Sequence, residues 1–155
     1  MIRMIAAIDS KRGIADDYGI PWDLPKDKAY FRSKTEGGTV VMGYRVYLEL
    51  VEPLPNRQNL VLTDGTEPLR SGFEPILDLE KFLSEYKDDL WIIGGAVTYQ
   101  LALPFAEELY LTKLTKDFAC TKFFPSYESD FVRVSQSGVM SENDIQYRFC
   151  AYRRK

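Results

Sequence analysis

The sequence predicts a single α/β domain with a mainly parallel central sheet of about eight strands, an antiparallel C-terminal strand and about four flanking helices. Three observations predict it. Short apolar runs alternate with helix-like segments through most of the chain, the pattern of strands joined by helical crossovers. Runs such as Val40-Val41-Met42 and Leu90-Trp91-Ile92-Ile93 are apolar at every position, which suits strands covered on both faces. The length, 155 residues, fits one domain over residues 1–155, and no repeat or low-complexity tract divides it.

Each element follows from local signals. Ile2 to Ile8 reads as a buried strand. Asp9 to Trp22, with Gly13, Asp16, Asp17 and Gly19, reads as an irregular stretch; loops this long in compact domains are often lids or binding loops. Pro25 suits the first turn of a helix over Lys26 to Lys34, with Tyr30 and Phe31 on its apolar side and Gly37-Gly38 as its end. Val40 to Met42 is a strand stopping at Gly43, followed by a short helix over Arg45 to Val51 and a Pro53-Leu54-Pro55-Asn56 turn. Asn59 to Thr63 is a strand leaving through Asp64-Gly65, and Glu74 to Leu77 is a weaker one. Asp78 suits the N-cap of a helix over Leu79 to Tyr86. Leu90 to Ile93 runs into Gly94-Gly95, and a helix over Ala96 to Leu103 is halted by Pro104. Leu109 to Leu114 is a strand, and Phe131 to Gln136 with Ile145 to Arg153 make an antiparallel pair.

Composition narrows the chemistry. The net charge is −3, from 20 basic and 23 acidic residues, so nothing in the balance supports a nucleic-acid partner. There is no histidine, which removes Ser-His-Asp and Cys-His pairs and every zinc site that needs imidazole. Proton work must then fall to a carboxyl group moved from its reference acidity, or to water. The cysteines Cys120 and Cys150 are too few for a four-thiolate metal site and are read as inert, partly buried thiols rather than a bridge. No metal is expected. The apolar run at the N-terminus is too short for a signal peptide or a membrane span, so a cytoplasmic location is expected.

Open α/β sheets bind ligands beyond the carboxyl ends of their strands, which directs attention to the residues after Ile8, Met42, Thr63 and Ile93. Met42-Gly43-Tyr44-Arg45 and Ile93-Gly94-Gly95-Ala96 put glycine at two strand-to-helix turns. Such turns let a backbone approach a pyrophosphate beside free helix N–H groups, though glycine there can equally be structural. Neither a Gly-x-Gly-x-x-Gly fingerprint nor a Gly-Lys-Ser/Thr loop is present. In Gly19-Ile20-Pro21-Trp22-Asp23-Leu24-Pro25-Lys26-Asp27, two prolines and a tryptophan fix the chain, and Phe31 lies four positions beyond Asp27 on the same face. A desolvated Asp27 would have a raised pKa and could grip the amidine-like edge of a heterocycle; an exposed one would merely favour the helix dipole.

The sequence resembles the dihydrofolate reductases. The matching pieces are Ile5-Ala6-Ala7, Pro21 to Asp27, Phe31, Thr35, Val41-Met42-Gly43, Leu54-Pro55-Asn56-Arg57-Gln58-Asn59, Ile92-Ile93-Gly94-Gly95, Tyr99, Thr112 and Phe124-Pro125, in the family's order across residues 1 to 125. The resemblance implies hydride transfer from a nicotinamide to C6 of 7,8-dihydrofolate, with a proton gained at N5. It implies that Asp27 grips the pterin and favours N5 protonation, with Trp22 and Thr112 orienting its carboxylate. Ile5, Ala6, Phe31, Leu50, Leu54 and Ile93 would wall the substrate, and Arg57 would hold its glutamate α-carboxylate as a fork. Gly43, Gly94, Gly95 and Ala96 would cradle the cofactor pyrophosphate, with a cis bond between Gly94 and Gly95. Ala7, Ile14 and Tyr99 would pack on the nicotinamide, while Tyr44, Arg45, Val46, Leu62, Thr63, Asp64 and Val97 would face the rest of the cofactor. The loop from Asp9 to Ile20 would be a lid that excludes water.

The implied cofactor is NADPH, with NADH also accepted. Tyr44, Asp64 and Val97 stand where the family usually sets basic or hydroxyl groups around the 2′-phosphate, leaving Arg45 and Thr63, so a weakened preference for NADPH is expected. Thr121-Lys122 stands where the family tends to have Asp-Thr, and Ala15 where glycine is common, so a lid that closes less firmly is expected. The implied partner is the small-molecule substrate, with no nucleic acid and no membrane, and the chain is expected to be a monomer. Two other readings are a pyrimidine reductase of riboflavin synthesis and a catalytically weak nucleotide-binding homologue. The first has no need of Pro21-Trp22 with Asp27, or of Arg57.

Overall fold

Side chains of a strand alternate between the two faces of its sheet, and here both faces are apolar. The computed structural model describes residues 1–155. Its strands are β1 (Ile2–Ile8), β2 (Gly13–Ala15), β3 (Thr39–Met42), β4 (Gln58–Leu62), β5 (Phe73–Ile76), β6 (Leu90–Ile92), β7 (Glu108–Leu114), β8 (Lys122–Phe123), β9 (Phe131–Gln136), β10 (Met140–Glu142) and β11 (Ile145–Arg154). The helices are α1 (Pro25–Thr35), α2 (Tyr44–Glu49), α3 (Leu79–Glu85) and α4 (Ala96–Ala102). On one face Met4, Ile8, Val41, Leu60, Leu90 and Ile92 pack with Leu79 and Leu83 of α3 and with Tyr99 and Ala102 of α4. On the other, Ile5, Val40, Met42, Val61 and Trp91 pack with Tyr47 of α2 and against Tyr30 and Phe31 of α1. This is why the strand sequences are apolar at consecutive positions.

The strand order is β10-β11-β7-β1-β6-β3-β4-β5, and β9 also pairs with β11. The pairs from β7 across to β5 are parallel, while β11 runs antiparallel to β7, β9 and β10. The expected mainly parallel sheet with an antiparallel C-terminal strand is therefore present, within a nine-stranded sheet. Asp78 caps α3 as expected, its carboxylate accepting the Lys81 N–H at 3.1 Å, an arrangement worth about 1 kcal/mol. Gly37 takes φ +80 just beyond α1, the left-handed step that ends a helix.

Four differences from the sequence reading have local causes. The Asp9 to Trp22 stretch is not wholly irregular, because Gly13–Ala15 pairs with Lys122–Phe123 in a small antiparallel sheet. The C-terminal pair is a trio, since Met140–Glu142 folds back on β11 through Asn143 and Asp144 at φ 51 and 62. Pro104 does not simply halt α4; the chain tightens into a 3-10 turn over Leu103–Phe105, where the missing proline N–H costs nothing. The helix expected over Arg45 to Val51 ends at Glu49. Of α1, only Thr35 is fully buried, because its inner face borders a cavity rather than core.

Candidate active site

The carboxyl ends of β1, β3, β4 and β6 open into one cavity of about 810 Å³, where an open α/β sheet is expected to bind its ligand. Its walls come from β1 (Ile5, Ala6, Ala7), from the lid (Ile14, Ala15, Ile20), from Trp22 and Leu24, and from α1 (Asp27, Lys28, Phe31). The walls continue through Gly43, Tyr44, Arg45, Val46, Glu49 and Leu50 around α2, with Leu54 and Leu62 beyond. Ile93, Gly94, Gly95, Ala96, Val97, Thr98 and Tyr99 close it at α4, with Thr112 and Lys122. Most of these side chains are apolar, so the few polar ones act in a setting of reduced dielectric.

Asp27 is half-buried in this wall. Pro25 opens α1 and places Asp27 in its first turn, while Leu24, 2% exposed, pins the preceding segment against Leu114 and Tyr147. The Thr112 hydroxyl donates to Asp27 Oδ1 at 2.6 Å. Burial raises the Asp27 pKa above the ordinary carboxylate value; the Thr112 bond pulls it back, and the charge of Glu142 adds to the rise. Glu142 sits close because its carboxylate accepts the Lys26 N–H at 2.9 Å, and the neighbouring Asn143 amide donates to the Asp23 carbonyl at 2.8 Å. The β10–β11 hairpin thus holds the segment that presents Asp27. Trp22 faces the cavity with its ring edge-on to Phe118 at 5.1 Å.

The two glycine turns meet each other. The Gly43 N–H donates to the Gly94 carbonyl at 2.7 Å, and a Cβ on Gly43 would lie 2.5 Å from Thr98 Oγ1. The Gly94-Gly95 peptide is cis, as the resemblance implied. Gly94 adopts φ +125, a conformation that L side chains rarely take. Tyr99, wholly buried behind them, donates its hydroxyl to the Ile5 carbonyl at 2.7 Å, tying this turn to β1. The first N–H groups of α2 and α4 have no intrahelical partner and open on the same cavity. The meeting of the two turns leaves no room for a side chain at Gly43.

Three of the expected residues lie outside the lining. Arg57 donates through Nε to the Pro55 carbonyl at 3.0 Å and through Nη1 to Thr35 Oγ1 at 2.9 Å, one helical turn beyond Phe31. It stands beside the wall formed by Phe31 and Leu54. Thr63 is buried, and its hydroxyl accepts the Gly65 N–H at 3.3 Å. Asp64 is exposed, its carboxylate occupied by the Thr66 N–H and hydroxyl at 2.9 and 2.7 Å, bonds that hold its pKa low. The other expected residues all line the cavity. Ala15, Ile20, Leu24, Lys28, Glu49, Thr98 and Lys122 line it too and had not been singled out as site residues. Lys28 is one residue past Asp27 and Thr98 one before Tyr99, so the helical neighbourhood of the expected residues could have found both; Lys122 reaches the cavity only through the β2–β8 pairing.

The segment expected to act as a lid is tied to the β8 strand. Beyond the β2–β8 pair, the Thr121 hydroxyl donates to Asp17 Oδ1 at 3.3 Å, and Lys122 Nζ lies 3.3 Å from the Asp16 carbonyl and 3.6 Å from Asp17 Oδ1. Thr121 and Lys122, where the family tends to have Asp-Thr, thus both reach Asp17. The lid tip remains free, with Tyr18 99% exposed.

The sequence matches the family profile described as dihydrofolate reductase over residues 1–154. It is 35% identical over 160 residues to the dihydrofolate reductase of Bacillus subtilis, covering 100% of this chain and 95% of that protein. It is 33% identical over 160 residues to the dihydrofolate reductase of Mycobacterium tuberculosis, covering 99% and 98% of the two chains. In structure it is similar to dihydrofolate reductase from Enterococcus faecalis complexed with NADP(H) and RAB-propyl, with a TM-score of 0.89 and 30% identity over 99% of this chain and 96% of that one.

Proposed function

The chain belongs to the dihydrofolate reductase family, and from that premise we propose how its own residues perform the reaction. The reaction is reduction of 7,8-dihydrofolate to tetrahydrofolate with NADPH. When bound, the nicotinamide supplies the hydride delivered to C6 of the pterin. The observation that carries the residue assignment is Asp27, a raised-pKa carboxylate held by Thr112 in an apolar cavity that also contains the glycine cradle.

Asp27 accepts two hydrogen bonds from the 2-amino group and N3 of the pterin, a pairing favoured by the low dielectric around it. Its negative charge then favours the N5-protonated form, which draws hydride to C6. Thr112 fixes the rotation of the carboxylate, and Trp22 closes the water-facing side. Ile5, Ala6, Phe31, Leu50, Leu54 and Ile93 clamp the flat rings. Arg57 has Nη2 uncommitted beside that wall and takes the substrate's α-carboxylate.

Gly43, Gly94, Gly95 and Ala96 hold the pyrophosphate of the cofactor, and Ala7, Ile14 and Tyr99 pack on the nicotinamide. Tyr44, Arg45, Val46, Leu62 and Val97 follow the rest of the cofactor. Among them Arg45 is the sole fixed charge, and Thr63 and Asp64 stand off the cavity wall. NADH is therefore accepted as well, with a preference for NADPH weaker than the family's habit. Both thiols are free and buried, in keeping with the cytoplasm. No helix is long and apolar enough to cross a membrane.

A spectrophotometric assay with dihydrofolate and each cofactor in turn tests this reading. Turnover with both, and an NADPH preference in kcat/KM below about a thousandfold, or about 4 kcal/mol, is the expected result. A larger preference removes the claim about the phosphate site. Absence of turnover with either cofactor overturns the residue assignment.

A further inference from the structure

Asp9 is a buried carboxylate, 3% exposed, that the reaction does not use. It stands at the exit of β1, and its three hydrogen-bond partners come from two segments more than 100 positions apart. Oδ1 accepts the Gly13 N–H at 2.7 Å and the Lys11 N–H at 2.9 Å, both at the base of the lid. Oδ2 accepts the Phe118 N–H at 3.0 Å, and the Cys120 side chain packs in the same corner, beside Gly13. No basic side chain pairs with it. Backbone donors alone satisfy the charge, and they belong to the two segments that must stay together for the lid to rest on the cavity.

The surroundings leave no slack. A Cβ on Gly13 would lie 2.5 Å from Cys120 Cβ and 2.8 Å from both Asp9 Oδ2 and Cys120 Sγ. The lid turns back on itself here, with the Asp9 N–H donating to the Gly13 carbonyl at 2.9 Å and the Arg12 N–H to the Asp9 carbonyl at 3.1 Å. Phe118, held through its N–H, places its ring against Trp22 in the cavity wall. We propose that Asp9 is a positioning residue: it rivets the base of the lid to the segment after β7 and so sets where Ile14 and Ala15 meet the nicotinamide end of the cavity. The inference rests on the reading of residues 9–20 as a lid.

Asparagine makes the sharpest test, because it keeps the shape of the side chain while turning one acceptor into a donor. All three partners of Asp9 are backbone donors and they engage both oxygens, so the new NH₂ group must face another donor whichever way it turns. Two readouts separate positioning from mere stability. The first is hydrogen exchange of the Thr121 and Phe124 amides, which donate to the lid carbonyls of Ala15 and Arg12 at 3.0 and 2.8 Å and do not touch Asp9. In the unliganded protein, Asp9→Asn should speed their exchange about tenfold while the Leu111 amide in the core is unchanged, the weight of one hydrogen bond to a charged group.

The second readout is the kinetic split, in which KM for NADPH rises about tenfold and KM for dihydrofolate stays within about twofold. Gly13→Ala, which pushes on the same carboxylate and keeps its charge, should give the same two changes and serves if Asp9→Asn does not fold. Exchange at Thr121 and Phe124 within twofold of the parent in both variants, with only a lower melting temperature, would overturn the proposal. The exchange measurement needs no substrate, so its outcome stands apart from that of the turnover assay.

Discussion

Asp27 and Asp9 are one residue type placed in two enclosures, and the enclosures give opposite results. Burial pushes both carboxyl groups towards the neutral form. At Asp27 a single hydroxyl, from Thr112, answers that push, and the charge of Glu142 adds to it, so the pKa stays raised. At Asp9 the N–H groups of Phe118, Lys11 and Gly13 and the Cys120 thiol outweigh burial, and the pKa falls below the ordinary carboxylate value. The neighbouring thiol shows the same field from its other side: burial and the Asp9 charge push Cys120 up to about 11. The number of donors aimed at a carboxylate, rather than its depth, decides whether it is reactive or structural. The cavity wall leaves Asp27 Oδ2 without a partner, while both oxygens of Asp9 accept backbone N–H groups.

The largest expected effect separates the two by rate. Asp27→Asn should lower the single-turnover hydride-transfer rate by about a hundredfold to a thousandfold, the usual range for loss of a positioned proton-handling group. A loss of less than tenfold would break the contrast, because the amide would then serve as well as the acid.

A smaller effect concerns stability, and here the signs oppose. Asp27 has a folded pKa above its unfolded value, so its contribution to folding is present at low pH and is lost as pH rises through the folded pKa. Replacing it with asparagine should therefore raise the melting temperature at neutral pH, by about 2 °C. Asp9 has a folded pKa below its unfolded value, so its contribution is present above about pH 4 and is lost as pH falls through the folded pKa. Asp9→Asn should lower the melting temperature at neutral pH, and the gap from the parent should close in acid. Thermal melts of the parent and the two variants across pH check both signs.

Much of the frame was legible in the sequence because the strands are apolar at consecutive positions and each helix of the parallel half carries its own punctuation. Pro25 at the start of α1, Asp78 before α3 and the glycines after β3 and β6 each have a local physical reason to be where they are. The Pro21 to Asp27 stretch left an exposed Asp27 as open as a desolvated one, and only its resemblance to the dihydrofolate reductases singled out the acid. What stayed hidden depends on pairings between distant positions. β2 and β8 are three and two residues long, too short for any periodicity, and they exist because each supplies the other's hydrogen bonds. The place of Lys122 in the cavity wall and the contacts of Thr121 and Lys122 with Asp17 follow from that pairing, so spacing along the chain did not announce them. Asp9 carried no signal of its burial either, since its partners are main-chain N–H groups and any sequence has those. Arg57, Thr63 and Asp64 stand in the order expected, but their side chains are turned by Thr35, Gly65 and Thr66, contacts that spacing along the chain does not specify.

The most direct measurement is a carbon-13 titration of the side-chain carboxyl groups in the unliganded protein, with Asp27 and Asp9 assigned through their asparagine variants. Asp27 should take up its proton above the ordinary carboxylate range and Asp9 only below it. An Asp27 that titrates at or below that range would contradict the assignment of this residue as the acid that meets the pterin.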